Sequence, residues 1–226
     1  MENMMKLSKE TTEVLKNFST INMSILFKVG QQLKTVSPQK TVMAIANISE
    51  TLPLEFAVYD LNKFLGTLSM FEDPDLSFGE KQVRISNGTG AVASLTYASK
   101  EAIVSAPDKD VTLPSAEINV SLEEKALTSA LRAAGVMGLP ELCFVGRDGQ
   151  TLVTACDTNN DSADGWEMPV GTSDANYKMI FRLDNLKLLP RDYDVIISSK
   201  GIAKFSSKKN DVTYFVATET GSKYAA

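Results

Sequence analysis

The sequence predicts an α+β protein built as two similar domains, and three observations carry that reading. Its 226 residues exceed the usual domain of about 100 to 200 residues. Apolar residues alternate with polar ones over many short runs, the mark of half-buried strands, and four short helical segments interrupt them. Those segments recur in the same order in each half. Hydrophobic residues at 43% and charged ones at 23% provide for a real core, which excludes disorder, collagen and coiled coil.

In chain order, Met4–Phe18 reads as a short extended stretch, then Ser8 as helix N-cap, then an amphipathic helix. Asn22–Lys28, Thr41–Ile48 and Ala91–Tyr97 read as strands, punctuated by turns at Val29-Gly30, Ser37-Pro38 and Asn87-Gly88. Between them Glu55–Leu68 runs from an apolar strand into Asp60 and a short helix. In the second half Glu117–Arg132 repeats the opening pattern with Ser121 as the expected cap. Leu142–Arg147 and Thr151–Cys156 flank Asp148-Gly149 as a hairpin. Met179–Tyr193 repeats the strand, Asp and short helix, and Asp194–Ser199, Ile202–Ser207 and Val212–Thr218 complete a meander.

The repeat has a register. Ser8 and Ser121 stand 113 residues apart, whereas Asp60 and Asp184, with Lys63 and Lys187 three residues after each, stand 124 apart. One duplicated unit with a loop insertion in its second copy explains both offsets, and polar 157–174 is the expected insertion. The domains are expected at 1–107 and 108–226, with a polar, Pro-containing connector over about 100–114.

Chemistry is limited by one absence: the chain contains no histidine. Ser-His-Asp and Cys-His catalysis are thereby excluded, and a zinc site would need an unusual carboxylate-dominated shell. Nucleotide-binding glycine motifs are missing. Paired carboxylates carry no signal among 28 acidic residues. Cys143 and Cys156, without ligand-like spacing, read as buried thiols of a reducing compartment. No run of 18 apolar residues and no signal-like N-terminus occur, so the expectation is a protein that stays in the cytoplasm where it is made.

The helix faces hold the functional signal. On the first helix Thr11, Val14, Leu15 and Phe18 form the apolar stripe and leave Lys9 and Lys16 outside, two turns apart. On the third, Ala126, Leu127, Ala130, Leu131 and Ala134 leave Lys125 and Arg132 outside at the same spacing. Lys63 and Lys187 add a matched cation from each short helix, with Arg191 just beyond. Solvated faces alone would carry such residues, and Glu10, Glu13, Glu123 and Glu124 dilute them. The whole chain is acidic, at −5, where a protein gripping DNA by phosphate neutralisation is ordinarily basic.

Met5–Gln31, MKLSKETTEVLKNFSTINMSILFKVGQ, together with Phe56–Leu68, FAVYDLNKFLGTL, resembles the DNA polymerase sliding clamp of T-even-type bacteriophages. The likeness is strong over roughly the first 70 residues and colinear beyond; Met1–Met4 stand ahead of that family's usual start. The resemblance implies two clamp-type domains (the DNA clamp fold), four short helices on an inner face, sheets outside, and three subunits closing head to tail into a ring. It implies a processivity factor, not an enzyme, that encircles double-stranded DNA without sequence preference, tethers a replicative polymerase, is opened by an ATP-driven clamp loader, and needs no cofactor or metal. Lys9, Lys16, Lys63, Lys125, Arg132, Lys187 and Arg191 would face the DNA. Clamps receive a short apolar partner peptide near the interdomain connector, and Ile103, Val104, Val111 and Leu113 are the candidates there. The rival reading is a β-rich viral structural or assembly protein with no DNA contact.

Overall fold

The computed structural model describes residues 3–160, 162–209 and 211–225. Its contacts divide the chain into two compact units, Met1–Asp108 and Lys109–Ala226.

The first unit runs β1 (Asn3–Met5), α1 (Lys9–Ile21), β2 (Ile25–Phe27), β3 (Gly30–Val36), β4 (Val42–Leu52), β5 (Phe56–Val58), α2 (Leu61–Leu68), β6 (Asp75–Phe78), β7 (Gln82–Ser86) and β8 (Val92–Thr96). The second runs β9 (Ile118–Leu122), α3 (Glu124–Met137), β10 (Glu141–Arg147), β11 (Gln150–Cys156), β12 (Trp166–Thr172), β13 (Asn176–Arg182), a 3-10 turn at Leu183–Asn185, β14 (Tyr193–Ser198), β15 (Ile202–Ser207), β16 (Val212–Ala217) and β17 (Lys223–Ala225). Strand pairing shows the duplication directly. In the first unit β6 lies between β1 and β7, and β8 follows β7; in the second β14 lies between β9 and β15, and β16 follows β15. Likewise β2 pairs with β5 and β3 with β4, as β10 pairs with β13 and β11 with β12. All these ladders are antiparallel, so each unit repeats one order of elements and one pairing scheme.

Each core forms where the apolar faces of helices and sheets meet. In the first unit Leu15 and Phe18 of α1 are fully buried, and Phe27 stacks on its cross-strand partner Phe56 with centroids 4.5 Å apart. In the second, Phe144, Phe181 and Phe205 meet at T-shaped or tilted angles. Gly146 of the central strand β10 makes room for the start of β13: a Cβ there would lie 2.4 Å from the Tyr177 ring and from the carbonyl of Ala175.

Three expectations need correction. Ser8 does cap α1, its Oγ accepting from the Thr11 N–H at 3.1 Å, but Ser121 lies within β9 and caps nothing. The residue preceding α3 is Glu123, which makes no side-chain cap; Asp192 instead accepts the Glu124 N–H at 2.8 Å from across the unit. Asp184 falls within a single 3-10 turn, and the segment after it is not an α-helix. Pro190 accounts for the difference, because it disfavours helical backbone at Leu189 and supplies no N–H. The chain there is held by two buried tyrosines: Tyr193 Oη donates to the Leu189 carbonyl at 2.7 Å, and the Leu189 N–H donates to Tyr214 Oη at 3.2 Å. Finally, 157–174 is not all loop, since its end forms β12, the counterpart of β4. Trp166, Met168 and Val170 alternate with more exposed Glu167, Pro169 and Gly171.

Among the described residues no helix is long and apolar enough to cross a membrane. Cys143 and Cys156 are free thiols with their sulfurs 3.1 Å apart.

Candidate functional site

Helix α1 is positioned by its polar start. Glu50 of β4 accepts the Ser8 N–H and, at 2.6 Å, the Thr11 hydroxyl, which pins the first turn to the sheet. Burial raises the Glu50 pKa, and these donors outweigh it, so the carboxyl is held below its ordinary value. With Thr11, Val14, Leu15, Phe18 and Ile21 buried, Lys9 and Lys16 are left exposed on the opposite face. Helix α2 packs against α1, capped by Asp60, whose Oδ1 accepts the Lys63 N–H at 2.9 Å. Its buried residues are Leu61, Phe64, Leu65 and Leu68, and the Lys63 side chain is exposed.

In the second unit α3 buries Ala126, Leu127, Ala130 and Ala134 and exposes Lys125 and Arg132. These two cations border an open groove of about 480 Å³, shared with Glu123, Glu124, Thr128, Ser129 and Asp192. The groove therefore sets its two cations among three carboxylates. Lys187 is half-buried in the Tyr-held segment. Arg191 differs from the rest: its side chain is 16% exposed, its Nε donates to Asp211 at 3.4 Å and its Nη1 to the Pro190 carbonyl at 3.1 Å. That charge ties the approach to β14 to the start of β16.

The four residues expected around the connector fall two in each unit. Ile103 is half-buried after the 3-10 turn Lys100–Ala102, and Val104 is exposed, its carbonyl accepting from Asn22 Nδ2 at 2.9 Å. Val111 and Leu113 are half-buried in the second unit. A pocket of about 240 Å³ does occur in the first unit, lined by Leu26, Lys28, Val29, Gln32, Lys34, Ala106 and Asp108. Sequence reading missed it because Lys28-Val29-Gly30 registers only as a turn. In the structure Val29 is left 67% exposed between Lys28 and the strand that carries Lys34.

A third hollow, of about 290 Å³, lies beside β8 and is lined by Val58, Tyr59, Phe64, Val83, Leu95 and Tyr97 with neighbouring polar residues. The Tyr97 hydroxyl is buried there without a hydrogen-bond partner among the described residues, and burial raises its pKa. Among the described residues of the first unit, β8 pairs on one side only, with β7. The corresponding outer position of the second unit's five-stranded sheet is β12, which pairs with β11 alone.

Comparison with known proteins gives a consistent result. The sequence profile of the family described as DNA polymerase processivity factor matches residues 8–105, and that of the gp45 sliding clamp, C terminal, matches residues 119–220. The sliding clamp of Vibrio phage KVP40 is 34% identical over 224 residues, covering 95% of this chain and 99% of that one. The sliding clamp of Enterobacteria phage T4 is 30% identical over 230 residues, covering 97% and 99%. Among solved structures, PCNA of Thermococcus kodakaraensis superposes with a TM-score of 0.69 at 16% identity, covering 96% of this chain and 99% of that one. The DNA polymerase III subunit beta of Bartonella birtlesii gives 0.71 at 14% identity, covering 96% of this chain and 65% of that one. These structural likenesses establish the clamp fold.

Proposed function

We propose how this chain, which belongs to the sliding-clamp family of DNA polymerase processivity factors, holds a polymerase on its template: three copies close head to tail around duplex DNA. The observation that carries the reading is the repeated unit, which presents lysine- and arginine-bearing helix faces twice in a chain whose net charge is −5. A polyanion-directed protein of net negative charge cannot rely on phosphate neutralisation for affinity. Enclosure supplies retention by topology, so contacts from Lys9, Lys16, Lys63, Lys125 and Arg132 can stay weak and sequence-blind, and the ring slides. Lys187 joins this set by its place in the repeat, while Arg191 has its structural partner in Asp211.

The subunit edges follow from the duplication. We assign β8 of one copy to β12 of the next, because each has an open outer edge and an open edge is a hazard unless paired. A joint using different patches on the two partners is heterologous, the kind that closes into rings. The hollow beside β8, with the unpartnered Tyr97 hydroxyl, would be filled by the neighbouring copy. No catalytic residue is required; opening falls to a separate ATP-driven loader, and the replicative polymerase docks through a short apolar peptide in the Leu26–Val29 pocket beside the connector. A virion structural protein finds no support in the relatives.

Light scattering of the purified protein should give a discrete trimer, and Leu95→Glu should give folded monomers. Reversing charge at Lys16 and Arg132 together should shorten products on primed DNA in the presence of polymerase, loader and ATP. Unaltered processivity in that double variant would remove the helix faces from DNA contact.

A further inference from the structure

The pocket beside the connector is already occupied by part of the chain. Leu26 and Val29 give it an apolar floor, Lys28 and Lys34 flank it, and among the described residues lining it Asp108 is the one acid. Lys28 makes an ion pair with the Asp108 carboxylate, and Lys34 Nζ lies 3.5 Å from the Asp108 carbonyl oxygen. The connector residue thus sits across the pocket, gripped through both its side chain and its backbone. Resting on the docking reading above, we propose that Asp108 is a built-in substitute for a ligand carboxylate, so that the pocket selects an apolar partner peptide carrying an acidic residue beside its anchor.

Three features support this. The pair is cheap to break, since the Lys28 side chain is 40% exposed and that of Asp108 82%, and an ion pair so wetted is largely screened. Asp108 stays charged across the physiological range: its hydrogen bond and charge contact with Lys28, aided by Lys34, hold its pKa below the ordinary value. Displacement therefore needs another anion and not a proton. A purely apolar peptide that moved Asp108 aside would leave the Lys28 ammonium facing a dry surface without a counter-charge, which opposes binding. An acidic peptide exchanges one ion pair for another and keeps the gain from covering Val29 and Leu26. Selectivity then arises from the difference between the two costs.

The test uses the full-length protein and two fluorescein-labelled synthetic peptides, each with a Leu-Phe anchor, followed by Asp in one and Asn in the other. Fluorescence anisotropy should show the Asp peptide binding more tightly. Asp108→Asn should tighten the Asp peptide further, by about two- to fivefold, the size of effect expected of a surface ion pair. Lys28→Met should abolish the preference between the peptides. Equal affinity for both peptides with no effect of Asp108→Asn, while Val29→Ser weakens both, would overturn the substitution by Asp108 and leave the docking pocket standing. Failure of either peptide to bind a protein that still extends polymerase products would overturn the pocket assignment and this proposal with it.

Discussion

Glu50 fixes a helix end by accepting the Ser8 N–H and the Thr11 hydroxyl, and Glu117 does the same for a turn, accepting the Ser199 N–H at 3.0 Å and its hydroxyl at 2.8 Å. These donors bring the Glu117 pKa down to about 2 and hold Glu50 below its ordinary value of 4.5. A carboxylate whose folded pKa is depressed stabilises the fold above its unfolded pKa and loses that contribution as pH falls through the folded value. Urea denaturation should therefore show stability eroding from pH 4.5 downward, reaching toward pH 2 for the Glu117 contacts. Glu50→Gln should cost about 1–2 kcal/mol at neutral pH, with the gap to the parent narrowing in acid. Ser8 was legible as a cap because its partner Thr11 is local. Glu50 was not, because its partners lie about 40 residues earlier in the chain. Cys143 and Cys156 follow the same logic: hydrogen bonding from Cys143 draws the Cys156 thiol down against burial, with help from Lys178, while the contact and burial push Cys143 up.

Among the elements, the comparison of α2 with its counterpart is the most instructive. Asp60 and Asp184 open similar strings, yet Asp60 caps a two-turn helix and Asp184 falls inside a single 3-10 turn. The apolar spacing was shared; Pro190 was the residue that decided, and matching of the two strings concealed it. Helix α3 teaches the converse, since the helix was legible from its apolar stripe while its start and cap were not, Asp192 lying 68 residues away. Asp192→Ala should lower stability by about 1 kcal/mol, with the loss reporting on the first turn of α3 by amide hydrogen exchange. Asp192 also borders the groove that holds Lys125 and Arg132, so the same change leaves that face more cationic. The lysines of the helix faces were readable from periodicity alone. The pocket beside the connector was not, because it unites the β2–β3 turn with Ala106 and Asp108, residues that only folding brings together.

For the whole molecule, retention by enclosure makes a prediction that retention by charge does not. Protein loaded onto nicked circular plasmid should remain with the DNA during gel filtration at elevated salt and be lost when the circle is cut once. Binding through released counterions would instead fall steeply with salt and be indifferent to the cut. The duplication was legible from the order of helices, and the equivalence of sheet orders needed coordinates, because β6 and β7 alternate over runs too short to announce themselves and β12 carries Pro169 and Gly171.

The short strand β17 lies against β13, with Tyr224 stacked near Tyr177, where in the first unit β5 carries a single bridge, Ala57 to Ala98. It occupies the flank of the five-stranded sheet opposite β12. That flank therefore ends in a three-residue edge, too short to template a neighbouring strand, so under the proposed β8–β12 joint one partner on either side, and with it a chain or a closed circle, is favoured over branching.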